Sequence, residues 1–213
     1  DRAFEYALEI VKPGMSEREV AWELEKYMRE NGSDGVAFPL IAAAGPSSAL
    51  PHATPSEGRI EKGDLLLLDI GARHEGYCAD LTRVISVGKP SQRQMKIYEV
   101  VRGAQGAALA GIRPGMTAIE ADLVAREAIR EAGFGDQFGH GLGHGVGLAV
   151  HEGPRLSPFA DPDKDRLEPG MVVTVEPGIY LVGEFGVRIE DLCIVREDGL
   201  ENLTGSPTEL QAA

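Results

Sequence analysis

The chain repeats itself once, and that repeat constrains its fold more than any other feature. Lys12-Pro13-Gly14-Met15-Ser16 returns as Arg113-Pro114-Gly115-Met116-Thr117 at an offset of 101 residues, and the same offset carries Arg29, Glu30 and Gly32 onto Arg130, Glu131 and Gly133. In each copy a Ser or Thr after the Pro-Gly turn can cap a helix that ends at a glycine. The pattern predicts helices over 17–31 and 118–132, with an earlier one at the start of the chain, where Phe4, Ala7, Leu8 and Val11 share a face.

A second correspondence lies downstream. Ile60-Glu61-Lys62-Gly63 before Leu65-Leu66-Leu67-Leu68 matches Leu167-Glu168-Pro169-Gly170 before Val172-Val173-Thr174-Val175, at an offset of 107. This sets Asp69 opposite Glu176 and Gly71 opposite Gly178; Gly76 and Asp80 then match Gly186 and Glu190 at an offset of 110. Loop insertions produce such drifts. Two copies are too few for a solenoid. Helices followed by strands in each half predict an α+β domain, with helices packed on one side of a mainly antiparallel sheet. The expected organisation is one domain, 1–213, in duplicated halves of about 1–95 and 96–213.

Chemistry enters through the acids. Asp69 closes a run of four leucines, and Asp80 interrupts the strand-like run 77–84. A hairpin around His74-Glu75-Gly76 is expected to set the two aspartates side by side. Glu176 and Glu190 repeat the arrangement in the second half. A carboxylate in a buried strand costs several kcal/mol unless it is paired or binds a cation. Four such groups brought together repel one another, and two divalent cations satisfy them better than protons. Three of the five histidines, His140, His144 and His151, fall in one Gly-rich stretch, with His52 and an exposed His74 elsewhere. A histidine beside carboxylates suits Mn, Co, Fe or Zn better than Ca.

Composition then excludes partners. A net charge of −13 argues against nucleic acid and anionic membrane surfaces, and no apolar run approaches the roughly 20 residues of a membrane span. Two cysteines are too few for a disulfide framework, which predicts a reducing, cytoplasmic setting.

At these residues the chain resembles the pita-bread metallopeptidases, which include methionine aminopeptidase, aminopeptidase P and proline dipeptidase. Five elements carry the resemblance, in order: Leu-Asp69-Ile-Gly, Ala-Asp80-Leu-Thr-Arg83, His140-Gly-Leu-Gly-His144, Val-Glu176-Pro-Gly and Val-Arg188-Ile-Glu190-Asp. It implies a pita-bread fold and two divalent metal ions, Mn or Co before Zn or Fe, held by Asp69, Asp80, His144, Glu176 and Glu190. Asp80 and Glu190 would be shared by both ions, Asp69 would serve one, and His144 with Glu176 the other. The resemblance further makes Glu176 a proton acceptor and His52 and His151 donors to the substrate carbonyl. His140 becomes a further residue of the substrate site or a support that orients the ligands, and Arg188 either a partner for a substrate carboxylate or a bridge across the site.

Leu-Pro-His52-Ala, His151-Glu152-Gly-Pro and Glu176-Pro-Gly-Ile-Tyr look like the proline-specific branch. The expected activity is therefore hydrolysis of the bond before proline at a peptide N-terminus, as Xaa-Pro dipeptidase or aminopeptidase P, in a chain able to form a homodimer. Members of that branch carry an N-terminal domain ahead of the region where this chain begins, so a catalytic domain lacking that part is expected. Methionine aminopeptidase, a hydrolase of another small amide, and a catalytically silent binding module on the same fold are the alternatives. A calcium-binding structural domain fits less well, because strand-borne acids do not make a calcium loop.

Overall fold

The structure is a computed structural model describing residues 1–213. Two helices open the chain, α1 (Arg2–Ile10) and α2 (Glu17–Glu30). The second half opens likewise on α3 (Gln92–Gly111) and α4 (Ala118–Glu131). Ser16 and Thr117 cap α2 and α4, each accepting the backbone N–H three residues on, from Glu19 and Glu120, whose carboxylates reach back to the cap N–H groups. The Pro-Gly turns before them need backbone that only glycine adopts freely, φ +94° at Gly14 and +84° at Gly115. Both repeat helices thus end within one residue of their expected limits. The helix α3 is longer than its counterpart α1, and its small residues and weak polarity pattern hide it from periodicity.

The strands of the first half are β1 (Gly35–Val36), β2 (Ile41–Ala44), β3 (Leu65–Ile70), β4 (Ala72–His74), β5 (Tyr77–Cys78) and β6 (Leu81–Ser86). Those of the second are β7 (Gly143–Gly145), β8 (Glu152–Leu156), β9 (Val172–Val175), β10 (Gly178–Leu181), β11 (Phe185–Arg188), β12 (Asp191–Arg196), β13 (Gly199–Asn202) and β14 (Gln211–Ala212). The duplication shows in the sheets: β6-β3-β2 in one half answers β12-β9-β7 in the other. Every pairing is antiparallel except β14 with β6. The halves are joined where β14 adds to the first-half sheet beside β6 and, nearer the acids, by a bridge between Thr82 and Glu190.

Why four leucines run together follows from strand geometry. Side chains alternate across a strand. Leu66, Leu68 and Ile70 face the core under α1 and α2, while Leu65 and Leu67 face the core shared with the second half. Buried on both faces, β3 has no room for alternation of polarity. Asp69 stands on the face of Leu65 and Leu67, so the same period aims its carboxylate at the second half.

Candidate metal centre

Each acid sits where a strand pair changes sheets. Asp80 lies between β5 and β6, and Glu190 between β11 and β12; Glu176 follows the last residue of β9, and Asp69 precedes the last of β3. The side-by-side placement of Asp69 and Asp80 is displaced by one step. Asp69 lies opposite Thr82, so Asp80 is its diagonal neighbour, close enough for like charges to interact across the pair.

The cluster is buried and poor in positive charge. Asp80 and Glu190 are 6% and 2% exposed. Burial, then the charges of Asp69 and Glu176, push the Asp80 carboxyl well above the ordinary carboxylate range. Burial and Asp80 do the same to Glu190, and burial raises Glu176 to about 8. One guanidinium, Arg188, answers four carboxylates: its Nη2 lies 2.6 Å from Asp69 Oδ2 and its Nε 3.9 Å from Glu176 Oε2.

The donor set fits divalent cations. His144 Nδ1 lies 3.0 Å from the Gly145 carbonyl, which assigns the ring proton to Nδ1 and leaves the Nε2 lone pair facing inward. That lone pair meets Glu176 Oε1 at 3.4 Å and Asp80 Oδ2 at 3.7 Å, while burial lowers the tendency of the ring to take a proton. Ligand atoms of Asp80, His144 and Glu190 lie within 4.8 Å of one another. Asp69 Oδ1 is buried without any hydrogen-bond donor. Lone pairs converging on lone pairs call for positive charge between them, and divalent cations supply it without protonating the ligands.

The surrounding residues share a cavity of about 690 Å3, lined by His52, His140, His144, His151, Arg155 and Arg188 beside the acids, within the usual size range for small-ligand sites. His151 packs edge-on against His144, with ring centres 4.4 Å apart. His52 and His151 are exposed to the cavity side and make no side-chain hydrogen bonds within the chain. His74 lies apart, exposed on the hairpin with Nδ1 3.0 Å from the Gly32 carbonyl.

His140 and Arg188 are engaged by the protein itself. His140 Nδ1 lies 2.7 Å from the Gly141 carbonyl and Nε2 2.8 Å from the Tyr180 hydroxyl; burial, with the Arg188 charge, lowers its pKa to about 4. The neutral ring therefore donates from Nδ1 and accepts the Tyr180 proton at Nε2. Arg188 spends four of its five N–H donors inside, on Thr82 Oγ1, the Pro51 carbonyl, Tyr180 and Asp69. Thr82 in turn donates to Glu190 Oε2 at 2.6 Å. Tyr180, buried and linking His140 to Arg188, was not singled out by sequence. Neither was Arg155, which makes no ion pair and lines the cavity from β8. The adjacent Glu-Pro-Gly-Ile-Tyr and Gly-Pro-Arg words were their only signals.

Close approach positions His144. A Cβ on Gly143 would stand 2.1 Å from the Thr174 carbonyl oxygen of the neighbouring strand. Gly143→Ala is expected to destabilise the fold by about 1–3 kcal/mol through overpacking, read as a lower midpoint in urea, and to weaken Mn2+ binding by displacing His144.

Comparison with known proteins places this architecture. The model of metallopeptidase family M24 matches residues 1–197. An uncharacterized peptidase, YqhT, of Bacillus subtilis is 51% identical over 99% of this chain and 59% of its own length. An Xaa-Pro dipeptidase of Pyrococcus furiosus is 49% identical over 99% of this chain and 60% of its own length. The crystal structure of an X-Pro aminopeptidase from Thermotoga maritima superposes with a TM-score of 0.96 at 47% identity, over 100% of this chain and 59% of that one. The prolidase from Pyrococcus furiosus gives 0.93 at 48%, over 97% and 60%. The chain thus spans about three fifths of the length of these relatives. Their pita-bread architecture is the α+β fold expected from the repeat. Since the matched residues take in the whole carboxylate and histidine cluster, the chain belongs to metallopeptidase family M24.

Proposed function

We propose that residues 1–213 form the catalytic domain of an Xaa-Pro peptidase, cleaving the bond before proline at a peptide N-terminus. The observation that carries this reading is the convergence of Asp80, His144 and Glu190 lone pairs, with Glu176 and the unpartnered Asp69 oxygen lining the same buried cavity. The similarity to Xaa-Pro dipeptidases supports the substrate class. These five residues would hold two divalent ions, Mn or Co before Zn or Fe on the mixed oxygen and imidazole set. Bound there, such ions supply Lewis acidity, activating water at neutral pH and polarising the scissile carbonyl.

The chain's own groups do the rest. His52 and His151 flank the cavity as N–H donors for the oxygen that gains charge when the carbonyl is attacked. Glu176, half-buried beside His144, would accept a proton during attack and return it to the departing proline nitrogen. Arg188 holds Asp69, and through Thr82 and Tyr180 it orients Glu190 and His140. Its commitments leave Arg155 as the basic group at the cavity wall available to a substrate carboxylate. A reducing, cytoplasmic setting agrees with Cys78 and Cys193 both being free thiols. No helix of the structure is long and apolar enough to cross a membrane.

The test uses Mn2+-loaded protein on an Xaa-Pro dipeptide, an Xaa-Pro-Yaa tripeptide and a Met-Ala-Ser peptide. Cleavage of the proline substrates alone upholds the proposal, and their relative rates separate dipeptidase from aminopeptidase P. Cleavage of the Met peptide alone moves the activity to methionine removal, and silence on all three with Mn2+ bound overturns peptidase function for this chain. Light scattering on the same sample decides between monomer and homodimer. Arg155→Met is expected to raise KM for the Xaa-Pro dipeptide about tenfold or more, the worth of a charge-assisted contact. It should leave KM for the C-terminally amidated dipeptide unchanged.

A further inference from the structure

Three buried carboxylates lie outside the metal cluster, and two of them are paired: Asp191 with Arg83 and Asp122 with Arg126. The third is Glu17, 3% exposed at the first position of α2, with no cation beside it. Its position in the helix explains a negative charge but not its burial.

What surrounds Glu17 is a single stretch of chain. Oε1 accepts the Ala44 N–H at 2.9 Å and the Ser47 hydroxyl. Oε2 accepts the Ser56 N–H at 3.0 Å and the Ser56 hydroxyl at 2.6 Å. One oxygen therefore holds the start of segment 44–56 and the other holds its end. Between these anchors the chain passes through a 3-10 turn (Gly45–Ala49) and then lines the cavity with Pro51, His52, Ala53, Thr54 and Pro55. The second half grips the same segment from the far side. The Gly186 N–H donates to Ser48 Oγ at 2.8 Å, and Arg188 Nη1 donates to the Pro51 carbonyl at 3.3 Å. With no hydrogen bond of its own, the His52 ring depends on this backbone for its place.

We propose that Glu17 is a positioning residue: its carboxylate closes segment 44–56 into a rigid arm that aims His52 at the substrate carbonyl. The inference rests on the Xaa-Pro peptidase reading for the role of His52, but the closure of the arm stands on geometry alone. The chemistry demands a carboxylate. A hydroxyl can turn to suit a new partner, but a backbone N–H cannot, and one backbone N–H faces each Glu17 oxygen. A glutamine in either orientation sets its NH2 against one of them and releases one anchor.

Hydrogen exchange read by mass spectrometry, on the full chain with Mn2+, tests the closure. In Glu17→Gln, exchange across 44–56 should quicken by about tenfold or more, the effect of losing one anchoring hydrogen bond, with other segments unchanged. Mn2+ affinity measured by calorimetry should not move. On an Xaa-Pro substrate kcat should fall by about a hundredfold, the cost of a misplaced catalytic group. In a His52→Ala background the same substitution should add almost nothing. Unchanged exchange in 44–56, or a full additional loss on top of His52→Ala, overturns the proposal. Should Glu17→Gln unfold, Ser56→Ala removes one hydroxyl anchor and is read in the same way. Should the wild-type chain cleave no proline substrate, the function proposed above fails, and the exchange experiment still decides whether Glu17 closes the arm.

Discussion

Asp80→Asn is expected to abolish Mn2+-dependent hydrolysis, lowering kcat by about a thousandfold or more as several kcal/mol of electrostatic stabilisation are lost with the ions. In chelator the same change should raise the melting temperature. The two effects have opposite signs because the cluster is built for cations and strained without them. The Asp80 carboxyl is pushed up by burial and by the charges of Asp69 and Glu176, so the neutral amide relieves desolvation and repulsion together. Each kcal/mol of relief moves the midpoint by about 2–4 °C in a chain of this size.

The linkage runs the same way. Asp80, Glu176 and Glu190 have folded-state pKa values above their unfolded ones, so the folded chain binds more protons. In chelator, the contribution of these three groups to stability is full below the ordinary carboxylate range and is lost as pH rises from there through the value of about 8 at Glu176. Saturating Mn2+ should abolish that fall by replacing protons with metal charge. A midpoint that fails to rise in Asp80→Asn, measured by calorimetry in chelator at neutral pH, would show that burial and repulsion at Asp80 do not cost the metal-free fold stability.

Arg83→Met should be the most damaging change away from the metal centre, costing about 3–5 kcal/mol in urea unfolding, as expected when one partner of a buried pair is removed. Arg83 is 1% exposed and uses all five of its N–H donors. They reach the Pro207 carbonyl at 2.9 Å, those of Thr82 and Glu190 at 3.0 and 2.6 Å, that of Ser206 at 2.8 Å, and Asp191 Oδ1 at 2.5 Å. Asp191 Oδ2 is held separately by Gln105 and Asn202. Its loss of the guanidinium would therefore leave a buried charge with only neutral donors. Pairing Arg83→Met with Asp191→Leu should recover much of the stability, because no unpaired charge remains. A double variant as unstable as the single one would locate the cost in the backbone carbonyls that lose their Arg83 donors.

The repeat and the acids were legible in the sequence because each is a local pattern. A Pro-Gly turn followed by a capping Ser or Thr announces a helix over a few residues, and a charge after four leucines is conspicuous wherever it falls. What escaped depends on partners far along the chain. Which groups Arg188 spans is hidden until Thr82, 106 residues earlier, and Asp69, 119 residues earlier, are seen beside it. His140 offers no local sign that Tyr180 supplies the proton at its Nε2. The diagonal placement of Asp69 and Asp80 was hidden for another reason. Register depends on where β3 gives way to β4 at Gly71, where a Cβ would stand 2.1 Å from the Ala79 carbonyl oxygen.

The bridge between Thr82 and Glu190 carries a consequence for ancestry. The sheets of the two halves touch there, and Arg83 fastens the backbone on both sides of that contact. Neither half alone holds all four acids, Asp69 and Asp80 lying in one and Glu176 and Glu190 in the other. A forebear with a single half could have assembled such a centre only where two identical subunits met across a dyad, each contributing one pair of acids. Fusion of two such copies would free the halves from that symmetry. One side could acquire a histidine while the other kept an aspartate, a divergence that an interface between identical chains forbids.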